Sequence, residues 1–265
     1  MIKKLFGYCQ LVFAYFCLNL KAQVEYRGAF ASQICAMFIN NCFWLAFWAL
    51  FFMRFPVLRG WQINDVITMW GVAACGFGLA HVVFGNALYL PTLIAKGQLD
   101  TWMLYPRALL PHLLLGKMSA TAIGDTLFGL FVYLIFVRPD MPHFALFLLL
   151  SVSAAVLFSG FSILTGSLGF FVGNAEGISE QCRFALVTFS TYPATLFDGK
   201  VKIILLTVIP AAFINNFPIE ALRSFSLSAI LYSVLGSAAV LVVGVAFFCW
   251  GLKRYESGNL MEMRG

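Results

Sequence analysis

"LFGLFVYLIFVRPDMPHFALFLLLSVSAAVLF", residues 127–158, decides the solvent in which this chain folds. An apolar, aromatic run stops at RPDMPH, residues 138–143, and resumes at once. The first run extends back to about residue 113 and the second forward to about residue 172. Each exceeds the ~20 apolar residues a helix needs to cross a hydrocarbon core of ~30 Å. Two prolines in the connector end one helix and open the next. A connector this short makes the two helices antiparallel neighbours. The expected fold class is therefore an all-α integral membrane protein.

The rest of the chain agrees. Of 265 residues, 62% are hydrophobic and 11% are charged, whereas soluble domains carry about 25% charged residues. The 29 Phe and 6 Trp suit acyl chains and membrane interfaces. The net charge of +6 comes from Lys and Arg lying between apolar runs, not from a basic stripe interleaved with aromatics, so no nucleic-acid partner is expected. The seven cysteines form no CxxC pair and read as small buried hydrophobes.

One membrane domain over residues 1–265 is expected, with six transmembrane helices at 29–53, 63–89, 113–137, 144–172, 178–197 and 225–251. Residues 1–28 read as an N-terminal interfacial helix. The run 201–218 is short and broken by Pro210, so it reads as a re-entrant hairpin before the last span. An alternative makes 201–218 the fifth span and 178–197 a surface helix, with the count unchanged. Lys and Arg set the orientation. With the N-terminus inside, only Arg54, Arg59, Arg138, Lys200, Lys202 and Arg223 of the 17 fall outside. Both termini are then cytoplasmic, as is the polar stretch 93–110 between the second and third spans.

Catalytic motifs are missing from this sequence. It has no GxxxxGK[ST] phosphate loop, no HExxH and no GxSxG. His81, His112 and His143 stand at least 31 residues apart, so no metal cluster is expected. Of the ionisable residues within the spans, His81 and Asp125 are the candidates, and such residues mark either a pathway or a structural hydrogen bond. Asn40 and Asn41, mid-way along the first span, must likewise find partners.

Three segments carry a family resemblance. Tyr26 and Arg27 stand at the mouth of the first span. "IAKGQLDTWMLYPR", residues 94–107, links the second and third spans. "TYPATLFDGKVKIILLTVIPAAFINNFP", residues 191–218, precedes the last. Over nearly its whole length the chain resembles the permease subunit of bacterial type-2 ABC exporters, in the branch with paired sister permeases. Tyr105 stands where members often carry Arg. The resemblance implies two six-helix halves, identical or sister proteins, in the bacterial inner membrane, with an ATPase subunit on each. ATP and Mg²⁺ would be bound by those partners, leaving no cofactor and no enzymatic activity in this chain. It also implies that 93–110 is the coupling segment, with Lys96, Gly97, Asp100, Pro106 and Arg107 docking on the ATPase. The hairpin before the last span would be an extracellular lid, and the second and fifth spans would line the cargo path.

On that reading Phe77, His81 and Phe84 share one helical face, and Phe184, Thr188 and Tyr192 share another. With Asn40, Asn41 and Asp125 they are the candidate path residues, suited to efflux of a hydrophobic, amphipathic or lipid-like cargo amid membrane lipids. Two rivals stand beside this. One is a stand-alone ion-coupled secondary transporter using Asp125 and His81. The other is a membrane-embedded enzyme or anchor, which would need a catalytic cluster.

Overall fold

A computed structural model describes residues 2–255, with the side chains of residues 2–6, 8, 9, 194 and 202 left aside. Residues 256–265, including Arg264 of the charge count, lie outside the described residues. Every regular element among the described residues is helical: α1 (Ile2–Val24), α2 (Arg27–Arg54), α3 (Ile63–Val83), α4 (Leu90–Ala95), α5 (Leu99–Met103), α6 (Leu109–Leu114), α7 (Ala120–Val132), α8 (Met141–Gly166), α9 (Gly169–Val172), α10 (Glu176–Ser190), α11 (Lys200–Thr207), α12 (Asn216–Ser224) and α13 (Leu227–Leu252). Five stretches are long and apolar enough to cross a membrane: α2, α3, α7 with the π-turn Tyr133–Val137, α8 continued through α9, and α13.

The helix bounds differ from the sequence reading in three places, each with a local cause. The second apolar run is helical only to Val83, and the third starts at Ala120 rather than near 113. One hydrogen bond does both. The carbonyl of His81, which a longer α3 would have paired with the amide four residues on, accepts instead from the amide of Ser119 at 3.1 Å. Ser119 is extended (φ −94°, ψ 119°) and caps α7. Residues 85–118 are thereby released to form short helices at this end of the bundle.

The third difference is α10. It has 15 residues, about 22 Å at 1.5 Å per residue, short of the ~20 residues of a full crossing. Pro193 cannot continue it. The side chain of Asn215 donates to the carbonyls of Phe189 (2.8 Å), in the last turn of α10, and of Tyr192 (3.0 Å), just past its end. The 201–218 run divides at Pro210 into α11, a 3-10 turn at Ala211–Phe213 and α12. Arg223 ties α12 to the start of α3 through two bonds to the Asp65 carboxylate, 2.8 and 2.5 Å.

α8 is the central helix, packed against α13 and α3, while α7 sits between α3 and α2. Where α8 crosses α13 there is no room for side chains. A Cβ on Gly160 would lie 2.5 Å from the Leu241 Cα, and one on Gly244 would lie 2.3 Å from the Gly160 carbonyl oxygen. Ser153 Oγ bridges the same pair of helices, 3.1 Å from the Ser233 carbonyl and 3.0 Å from Ser237 Oγ. Small residues with a hydroxyl across the seam are how helices associate when lipid offers no hydrophobic drive. At the connector that opened the sequence reading, Asp140 caps α8 by accepting from the His143 amide at 3.1 Å, and Tyr133 stacks on Phe147 with ring centroids 3.9 Å apart.

Candidate functional site: an exposed connector and a mixed cavity

The connector 93–110 is anchored from within and carries a mixed apolar and cationic face outside. Leu99 and Ile94 are fully buried, while Lys96, Leu104, Tyr105, Pro106 and Arg107 are exposed. Gly97 has φ +67°, a left-handed conformation that costs other residues about 1–2 kcal/mol. This lets the Gln98 amide turn back to the Leu93 carbonyl at 2.9 Å and start α5 at an angle to α4. Asp100, in the first turn of α5, faces Tyr255 beyond the end of α13. Burial and that carboxylate push the Tyr255 hydroxyl up to about 12. Tyr255 packs against the apolar cluster that holds Ile94, Leu99 and Phe248 of α13, so the connector meets the last helix of the bundle as well as the two it joins.

α1 straps the same region. The Tyr15 hydroxyl bonds to His112 Nε2 in α6, Asn19 donates to the Leu115 carbonyl at 2.9 Å, and Gln23 donates to the Met118 carbonyl at 3.4 Å. Tyr15, Trp102 and Tyr105 surround the His112 ring with centroids 5.4, 5.3 and 4.9 Å away. Burial first, and the Arg107 charge second, hold the imidazole below its usual value. In the unfolded chain it titrates near 6.5, so falling pH protonates the unfolded state first. The stabilising contribution of neutral His112 is present above pH ~6.5 and lost below it. The melting midpoint of purified protein should fall between pH 7.5 and 5.5, and His112→Gln should shrink that fall. An equal fall in the variant would remove His112 from the account.

The polar residues inside the bundle form two separate sites. Asn41 is buried and donates to Asp125 Oδ1 at 2.7 Å across α2 and α7, whereas Asn40 is exposed. His81 is buried on α3 and bonds to the Phe77 carbonyl at 2.9 Å through Nδ1. No hydrogen bond joins His81 to Asp125 among the described residues. Asp125→Asn should keep the bond to Asn41 and leave folding and transport within twofold. Asp125→Leu should destabilise by about 1–3 kcal/mol by leaving one N–H of the buried Asn41 amide unpaired, the other keeping the Met37 carbonyl at 3.1 Å. Loss of transport in Asp125→Asn with normal folding would instead give the carboxylate a chemical role.

A cavity of about 570 Å³ opens between α3, the 85–89 turn and α10. Phe77 and Phe184 line it, with Tyr89, Glu176, Glu180 and Arg183. Arg183 Nη1 is buried with no hydrogen-bond partner among the described residues. Phe84 points elsewhere, into an apolar cavity of about 390 Å³ between α3, α6, α8 and α13. Thr188 is half-buried outside the first cavity, and Tyr192 packs on Trp48 at 5.6 Å. The charged lining went unread in the sequence. Glu176, Glu180 and Arg183 recur at i, i+4 and i+7, one face of a helix, and that spacing was the available signal.

Against known proteins, a family described as "ABC-2 family transporter protein" matches residues 38–258. No curated protein and no solved structure gives a match.

Proposed function

Because the chain belongs to the ABC-2 transporter family, and is thus a multi-pass membrane subunit that works with ABC ATPases, we propose that it is the permease half of an ATP-driven exporter in the bacterial inner membrane. The family is a transport family, not a catalytic one. The observation that carries the mechanism is the connector 93–110. It presents Leu104 (84% exposed), Tyr105 and Arg107 to solvent while Leu99 is fully buried beneath them. An exposed apolar and cationic patch on a buried anchor suits docking in a cleft of a soluble partner.

The connector end and both termini then face the cytoplasm, where each of two permease halves carries one ATPase. Closure of the ATPase pair pushes on α5, and the push reaches α3 through α4 and α13 through Tyr255. Rigid-body tilting of this kind alternates access to the path. α10 serves as a short fifth span continued by the α11–α12 re-entrant hairpin. The cargo is amphipathic, because the 570 Å³ cavity combines Phe77, Tyr89 and Phe184 with Glu176, Glu180 and Arg183.

Purification from native membranes with whatever subunits stay bound tests the assignment. An ATPase should co-purify, and transport should stop on ATP depletion yet survive loss of the proton gradient. Transport without an ATPase partner that follows the proton gradient would establish the ion-coupled alternative instead.

A further inference from the structure

We infer that the 570 Å³ cavity takes a zwitterionic head group of one polarity, with an anionic group next to the apolar tail and an ammonium group outermost. The inference rests on the permease reading, which leaves the head group of an amphipathic cargo open.

The order of side chains along α10 carries it. Glu176, Glu180, Arg183, Phe184 and Val187 all line the cavity. From the first turn of the helix onward the wall is therefore acidic, acidic, basic and then apolar. Glu176 and Arg183 stand about 10 Å apart along the axis at 1.5 Å per residue. The two carboxylates are exposed, whereas Arg183 is half-buried with its Nη1 fully covered. Phe184 is 66% exposed, an open apolar surface that a hydrocarbon tail would cover.

Arg183 is the unsatisfied member of the set. Among the described residues its guanidinium makes no hydrogen bond and no ion pair, although Glu176 and Glu180 share its helix face. A buried cation without a partner costs free energy. A phosphate or similar oxyanion removes that cost, because the planar fork meets it with two parallel bonds. The anion of a bound head group therefore belongs at Arg183.

A simple anion would meet repulsion from the carboxylates about one and two turns away. On the 85–89 wall the Lys117 ammonium stacks 3.6 Å over the Tyr89 ring. Lys117 and Arg183 against Glu176 and Glu180 are two charges of each sign, so the four sum to zero and favour neither a pure cation nor a pure anion. A head group with both signs meets Arg183 and the carboxylates together. Phe184 and Val187 lie beyond Arg183 and the carboxylates before it, so the tail adjoins the anionic end.

The test is binding of dodecyl probes, each dilute in a non-ionic detergent, to the purified full-length complex without nucleotide. Dodecylphosphocholine has the inferred order, phosphate inside and ammonium outside. A dodecyl sulfobetaine carries the same signs reversed. Dodecyltrimethylammonium and dodecyl phosphate carry one sign each. The phosphocholine should bind about tenfold more tightly than the other three, the scale of one charged hydrogen bond. Glu176→Gln with Glu180→Gln should erase its lead over dodecyl phosphate. Arg183→Gln should cut its binding about tenfold yet leave dodecyltrimethylammonium binding intact, which shows that the variant is folded. Arg183→Lys should keep the order of the probes. The inference is overturned if the sulfobetaine or the simple cation binds as tightly as the phosphocholine, or if Arg183→Gln lowers all four alike. Dioleoylphosphatidylethanolamine as competitor separates the sources. Displacement of the phosphocholine assigns the head group to a bilayer lipid, and no displacement assigns it to a single-tailed amphiphile, with the polarity upheld in both. If the order of probes fails while an ATPase co-purifies, the permease reading stands. If no ATPase co-purifies, that reading falls whatever the order.

Discussion

Arg107→Glu is expected to cut transport by at least about tenfold while the partner ATPase keeps hydrolysing ATP. The substitution should be harmless to folding. Arg107 is exposed, and no hydrogen bond or ion pair of its side chain is seen among the described residues. Charge changes at such sites shift stability by no more than about 0.5 kcal/mol. At a docked interface the same change puts like charges together, which costs several kcal/mol, and tenfold in the fraction docked needs only about 1.4 kcal/mol. Arg107→Lys should lose less, because it keeps the charge but not the guanidinium fork. One side effect is controlled by pH. Reversal removes a charge that helps hold His112 neutral, so the comparison belongs near pH 8, where the imidazole is neutral in both proteins. Equal transport per ATP in wild type and Arg107→Glu would remove the connector from energy coupling.

That prediction depends on a segment that stood out at once in the sequence, and the reason is physical. In a chain that is 62% hydrophobic, Lys96, Asp100 and Arg107 can be placed only where water is, so the interruption marks a loop without any knowledge of the fold. The long spans were legible for the same reason, since hydropathy over twenty residues reports directly on lipid. The breaks were not. α3 ends and α7 begins because His81 and Ser119, 38 positions apart, share a backbone hydrogen bond, and no local pattern encodes a partner that distant. Of the candidate path residues, Phe77 and Phe184 do meet at one cavity. Phe84, at the end of the same apolar stripe as Phe77, departs because α3 stops one residue before it. A helical wheel assumes that the helix continues. The Asn40–Asn41 pair shows the opposite limit. Adjacent residues on a helix point about 100° apart, so one entered the bundle and the other was left on its surface.

Gly244→Leu should abolish accumulation of folded protein, the largest effect expected of any single change. The α8–α13 crossing is a backbone contact. Each glycine occupies space that the other helix fills, with the Gly160 carbonyl oxygen 2.3 Å from where a Gly244 Cβ would begin. Nothing flexible lies there to yield, because the obstacle is main chain and not the end of a side chain. Overpacking of ordinary cores costs about 1–3 kcal/mol when side chains can move aside. Here the two helices must separate instead. Separation also breaks the Ser153 bonds to Ser233 and Ser237 and opens the seam along α8. In lipid no hydrophobic force pulls the helices back together, so a lost close contact is not repaid by burial elsewhere. Gly244→Ala, which meets the same oxygen with a single methyl, should lower the melting midpoint yet leave some folded protein. Leu235→Ala, on the exposed face of the same helix, should change little. The yield of monodisperse protein in mild detergent, with the melting midpoint of whatever survives, measures all three. Normal yield from Gly244→Leu would mean that α13 can pack on α8 at another register, and that the glycine contact does not set the position of the last span.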